Sequence, residues 1–278
     1  MWVTQLLRNT AGAGCALLCV SSFALGADAP SASDVVARLK AGNERFAADA
    51  SSPPPIDHGR RAVLAKGQSP FATVLSCADS RVPPEIVFNT GLGDLFVVRA
   101  AGEVVDRSVL ASVEYAAEHL HSPVLVVMGH EFCGAVTAAI ETKTSLGPNL
   151  DFLVKAIKPA VARTANAPEK ERLKAAILAN VEESVNASLS QSALLRHLVE
   201  SGALTIVGAY YELESGRVTF SQPIGAPARS VSERREHAPS RQAPPAEDGR
   251  NSQDVAREAR LRGARDPLLT RAPREARR

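Results

Sequence analysis

The chain has 278 residues, 45% of them hydrophobic, and a net charge of +2 at neutral pH. That length admits one large or two small domains with a sizeable core. The near-balanced charge gives no overall sign of a nucleic-acid partner.

Residues 1–27 have the layout of an export signal. Arg8 is the only charge in MWVTQLLRNT, AGAGCALLCVSSFAL (11–25) is small and mostly apolar, and GADA offers small-residue cleavage sites ending at Ala27. The apolar stretch is shorter than the ~20 residues a membrane span takes. Neither Cys15 nor Cys19 lies in a lipoprotein box. The expected product is exported, periplasmic or secreted, with no stable membrane anchor. Cleavage would leave Cys77 and Cys133, and two cysteines in an exported protein ordinarily suggest one disulfide.

SASDVVARLKAGNERFAAD (31–49) has helical spacing, with Ser33 or Asp34 as the N-cap. SSPPPIDHGRR (51–61) reads as a Pro-rich loop. FATVLS (71–76) is a first strand and DLFVVRAAG (94–102) a second. DRSVLASVEYAAEHL (106–120) repeats apolar residues at helical spacing, from Val109 and Leu110 to Leu120. SPVLVVMGH (122–130) is a third strand, GAVTAAIET (134–142) starts a helix, and 150–200 reads as helical. ALTIVGAYYELESGRVTF (203–220) is a fourth strand that turns at Glu214–Ser215–Gly216 into an antiparallel one. Residues 226–278 hold 13 arginines, no lysine and eight acidic residues, with abundant Pro, Ala and Ser. They read as a disordered tail after a folded domain at 28–225.

Strands alternate with helices, and three strands are continuous apolar runs. The expected fold is a single-domain α/β protein with a central, mainly parallel sheet flanked by helices and an antiparallel edge strand. Such sheets bind ligands beyond the carboxyl ends of their strands. Cys77 ends one strand, Arg99 and Gly102 end the next, and His130 ends a third, with Cys133 just after.

CADSR (77–81) and GHEFCGAV (129–136) therefore face one region. Cys77, His130 and Cys133 form a Cys2His set suited to tetrahedral Zn2+, and three protein ligands leave a fourth position open for chemistry. The helix starting near Gly134 would aim its N-terminus at Cys133 and favour the thiolate. Asp79 and Arg81 stand at alternate positions after Cys77. They form either a structural ion pair or a catalytic one. His58, His119, His121 and His197 have no partner motif.

In order and spacing, CADSRVPPEIVF, GDLFVVRAAG, SVEYAAEHL and GHEFCGAV resemble the motifs of the β-class carbonic anhydrases, over roughly residues 35–225. The resemblance implies one zinc per subunit on Cys77, His130 and Cys133, and a catalytic Asp79–Arg81 pair. In some members the Asp becomes the fourth ligand, so Asp79 is also a candidate metal ligand. Zinc lowers the pKa of its bound water to ~7, and the resulting hydroxide attacks carbon dioxide to give bicarbonate. Asp79 would orient that nucleophile and Arg81 would hold Asp79. Gln68, Phe96 and Tyr115 would line the carbon dioxide pocket, with Gly134 beside them. The family resemblance also implies a homodimer or larger homo-oligomer, with Gln68 and Tyr115 reaching a neighbouring subunit's zinc. Glu103 departs from the Asn common at its position. Val74 stands where some bacterial members have the Trp of a non-catalytic bicarbonate site shared with Arg99 and Tyr115, so no such site is expected. Two alternatives stay open: a carbonyl sulfide or carbon disulfide hydrolase on the same fold, and a non-enzymatic protein with a Cys77–Cys133 disulfide.

Overall fold

The computed structural model of the chain describes residues 30–54 and 56–224. The expected export signal (1–27) and arginine-rich tail (226–278) lie outside the described residues.

Helix α1 (Ala32–Ala47) starts from a capping box. Ser31 Oγ accepts from the Asp34 N–H at 3.2 Å, and the Asp34 carboxylate accepts from the Ser31 N–H at 3.2 Å. The N-cap is thus Ser31, not Ser33 or Asp34; Asp34 is the acidic partner of the box. The supposed loop at 51–61 runs into a short helix, α2 (His58–Leu64), because Asp57 caps it through the Arg60 N–H at 2.9 Å. Strand β1 (Ala72–Ser76) leads to α3 (Pro84–Val87), then β2 (Leu95–Arg99) and α4 (Arg107–Glu118). Strand β3 (Val124–His130) is followed by α5 (Gly134–Glu141). The helical stretch read at 150–200 is three helices, α6 (Pro148–Arg163), α7 (Glu169–Gln191) and α8 (Ala193–Glu200). Strands β4 (Thr205–Tyr211) and β5 (Val218–Phe220) complete the described chain. None of the described helices is long and apolar enough to cross a membrane.

The sheet order is β2-β1-β3-β4-β5, with the first four strands parallel and β5 antiparallel to β4. Alternate residues of β1 and β3 go to opposite faces, and both faces are covered. Val74, Val124, Val126 and Met128 pack with Val35 and Leu39 of α1 and with Phe88. Leu75, Leu125 and Val127 pack with Val109 and Val113 of α4, Val181 and Val185 of α7, and Leu195 of α8. This double burial is why β1 and β3 read as unbroken apolar runs.

The chain leaves β1 toward β2, then crosses back to β3 on the other side of β1. The strand order therefore reverses between β1 and β3, where doubly wound sheets open a crevice at their carboxyl ends. The parallel register pairs Ser76 with Met128, so Cys77 emerges next to Gly129 and His130.

Buried Asn43 ties α1 to the far edge of the sheet. Its Nδ2 donates to Val87 O at 3.2 Å and Gly216 O at 2.8 Å, and its Oδ1 accepts from the Val218 N–H at 2.8 Å. Asn43→Ala would leave three backbone groups short of a partner and should cost about 2 kcal/mol or more of stability. Urea unfolding measures it; an unchanged midpoint and slope would refute the tie.

Candidate metal centre

Three segments converge at the β1/β3 crevice. Cys77 follows the last residue of β1, His130 is the last residue of β3, and Cys133 is the N-cap of α5. One donor atom from each lies within 4.8 Å of the other two, and all three residues are buried. Both cysteines are free thiols, so the structure does not contain the alternative disulfide.

The turn from β3 into α5 makes this possible in two residues. Phe132 adopts a left-handed conformation (φ 54°), which reverses the chain and brings Cys133 back over His130. Cys133 is the N-cap of α5, but its side chain makes no capping hydrogen bond, and its thiol pKa is raised rather than lowered as the helix N-terminus alone would favour. Gly134, the first helical residue, has open space where a side chain would begin.

The donor set fits a zinc ion. His130 Nδ1 lies 2.9 Å from Glu131 O. A proton donated there leaves the Nε2 lone pair free, and Nε2 is a fully buried atom with no hydrogen-bond partner. Two sulfurs and one such imidazole nitrogen make a soft three-donor set. Cys77 Sγ accepts from the Gly102 N–H at 3.3 Å. The neighbouring Cys133 thiol and the Gly102 N–H lower the pKa of the Cys77 thiol, against the effect of burial. The Cys133 thiol is pushed up by Cys77 and by burial.

Asp79 stands beside this cluster, its Oδ2 3.8 Å from His130 Nε2. Arg81 grips it with two parallel bonds, Nε to Oδ1 at 2.9 Å and Nη2 to Oδ2 at 2.7 Å, and its own backbone N–H adds a third at 2.9 Å. Those bonds hold the Asp79 carboxyl well below the usual carboxylate range. Arg81 Nη2 also reaches Phe132 O at 3.4 Å, linking the Cys77 loop to the turn before Cys133. Arg99, at the end of β2, donates from Nε to Cys77 O at 3.1 Å and from Nη2 to Asp79 O. It is a clamp on the CADSR backbone. Val74 is buried in the sheet beneath.

The sequence-assigned pocket residues divide. Phe96 and Tyr115 meet each other, ring centroids 6.1 Å apart, and Tyr115 also meets the His119 ring at a tilt, 5.4 Å away. Tyr115 is nonetheless 46% exposed. Gln68 lines a separate surface hollow of about 530 Å³ with Leu64, Leu92 and Gly93, and none of the three candidate metal ligands lines it. Sequence reading marked Glu103 only as a departure from the family pattern and missed its burial and its partners on α7. Glu103 is fully buried, and burial pushes its carboxyl up to about 8. Asn180 of α7 donates to it at 2.8 Å, and Ser184 Oγ donates to its carbonyl at 2.9 Å. The available signal was a polar series at four-residue spacing, Asn180, Ser184 and Ser188, on the buried face of α7.

A family model described as carbonic anhydrase matches residues 72–218. "Carbonic anhydrase 2" of Mycobacterium tuberculosis is 41% identical over 190 residues, which is 67% of this chain and 91% of that protein. The carbonic anhydrase of Mycolicibacterium smegmatis is 39% identical over 193 residues, 67% of this chain and 92% of its own. Among solved structures, a tetrameric β-carbonic anhydrase of Sordaria macrospora superposes with a TM-score of 0.54 at 27% identity, covering 59% of this chain and 86% of that one. The β-carbonic anhydrase CafA of Aspergillus fumigatus gives 0.54 at 27% identity, covering 72% and 97%. With the mainly parallel sheet, the crevice and the Cys-His-Cys cluster in place, these matches show that the chain belongs to the β-carbonic anhydrases, a family of lyases.

Proposed function

We propose that the chain catalyses the reversible hydration of carbon dioxide to bicarbonate and a proton at a zinc ion held by Cys77, His130 and Cys133. The observation that carries this is the convergence of three buried donors, one of them the unpartnered His130 Nε2, beside an Asp79 held by Arg81. Zinc bound there would supply Lewis acidity and bring the pKa of a coordinated water to ~7. The protein's part is orientation. Asp79 stays ionised and acceptor-only, so it can take a hydrogen bond from the attacking group and fix its direction. Arg81 and Arg99 keep that carboxylate and its backbone in place. Phe96 and Tyr115 offer an apolar wall to a small, uncharged substrate. The exposure of Tyr115 and the separate position of Gln68 favour a homo-oligomer in which these side chains serve a neighbouring subunit's site. The export-signal pattern favours a periplasmic or secreted enzyme. The direct test is stopped-flow carbon dioxide hydration by the zinc-loaded protein, alongside carbonyl sulfide turnover. Carbon dioxide should be the better substrate; a preference for carbonyl sulfide would overturn the reading.

Arg81→Ala should reduce hydration about 100-fold or more, the scale on which losing one preorganised polar group is felt. Zinc content should be retained, and Asp79, freed from its partner, should join the metal's ligands in a crystal structure. Asp79→Asn should lose activity to a similar degree without adding a ligand. Near-normal turnover in Arg81→Ala would remove Arg81 from the mechanism.

Metal binding draws on deprotonated ligands and is linked to folding. Chelating the metal under air should therefore lower the melting temperature and let Cys77 and Cys133 oxidise, read by thiol titration. A chelated protein that keeps two free thiols and melts as before would mean that zinc does not guard them.

A further inference from the structure

The orientation chemistry above makes no use of Glu103. Its backbone is left-handed (φ 41°) and follows a left-handed Gly102 (φ 65°). A residue with a side chain rarely adopts that region, so other contacts must hold it there. They come mainly from α7. Asn180 Nδ2 donates both to Gly102 O and to Glu103 Oε1, each at 2.8 Å, and Ser184 Oγ fixes the Glu103 carbonyl. The packing around the corner is equally close-fitting. A Cβ on Gly129, the neighbour of His130, would fall 2.7 Å from Val181 and 3.3 Å from Glu103 Oε1. A Cβ on Gly102 would fall 2.8 Å from Ile157. The Gly102–Glu103 corner is thus wedged between α7, α6 and the end of β3. The one backbone group it turns toward the ligands is the Gly102 N–H, which meets Cys77 Sγ at 3.3 Å.

We infer that Glu103 and Asn180 are positioning residues for the metal centre: they lock the Gly102 N–H onto the Cys77 sulfur and so set how that thiolate donates to zinc. This rests on the zinc reading above. A hydrogen bond to a metal-bound thiolate withdraws charge from sulfur and fixes its orientation, and such outer partners are commonly worth about 10- to 100-fold in metal affinity. The Glu103 carboxyl acts as the acceptor that keeps Asn180 turned toward the corner.

Cobalt(II) substitution reports on the sulfur directly through the thiolate-to-metal charge-transfer band, and competition with a chelator reports affinity. Asn180→Ala and Glu103→Leu should weaken cobalt binding about 10- to 100-fold and move the band to longer wavelength, as the sulfur becomes more electron-rich. Glu103→Gln keeps an acceptor for Asn180. It should stay near wild type in band position, with affinity within about threefold. Wild-type band and affinity in folded Asn180→Ala and Glu103→Leu would overturn the inference, as would a Glu103→Gln protein as impaired as Glu103→Leu. If the first two fail to fold, Ser184→Ala, which loosens only the Glu103 carbonyl, should show a smaller shift in the same direction; an unmoved band would again overturn it. A wild-type protein that takes up cobalt with no sulfur band would instead sink the zinc reading itself.

Discussion

Thr73 to Ser76 lie opposite Leu125 to Met128 in a parallel ladder, and that register determines where everything else in the site can be. A parallel pair ends both strands at the same edge of the sheet. One strand therefore delivers Cys77 and its neighbour delivers His130 at adjacent positions, with no loop needed to bring them together. The third ligand needs only a two-residue turn, and the left-handed Phe132 provides it. Slipping the ladder by one residue would exchange the two faces of β3 and take His130 out of the cluster.

Two arginines then act less as charges than as braces. Arg81 is about half exposed, and an ion pair in that setting adds little to stability. Its worth is geometric: one guanidinium fixes both oxygens of Asp79 and reaches across to Phe132 O. Arg99 holds the carbonyls of Cys77 and Asp79 from the β2 side. The CADSR loop is thus fastened on either flank, and Asp79 is left little freedom in where its carboxylate points.

Much of this was legible in the sequence, for physical reasons. Doubly buried strands announce themselves as unbroken apolar runs, so VLVVM and the Cys and His at strand ends could be placed at one edge from the sequence alone. The short helix α2 was hidden because the prolines before it outweighed a single capping Asp57. The long helical region gave no clear sign of its breaks at Thr164–Pro168 and Ser192, where α6, α7 and α8 part. Glu103 was visible only as a departure from a pattern. Its partners, Asn180 and Ser184, lie about 80 residues away along the chain, and no local spacing rule reaches that far. Arg99 could be seen at a strand end, but its acceptors are backbone carbonyls, which leave no mark in an amino-acid sequence.

The burial of β1 and β3 has a dynamic consequence. Every residue of both strands is buried, and strands of this kind are the last to expose their amides to hydrogen exchange, opening only when the whole domain does. Cys77 directly follows β1 and His130 ends β3, so both are anchored to these buried strands. Two thirds of the donor set is therefore ordered by the fold itself, ahead of any ion. Uptake of the metal has little chain entropy left to remove, and the coordination shell inherits its rigidity from the sheet.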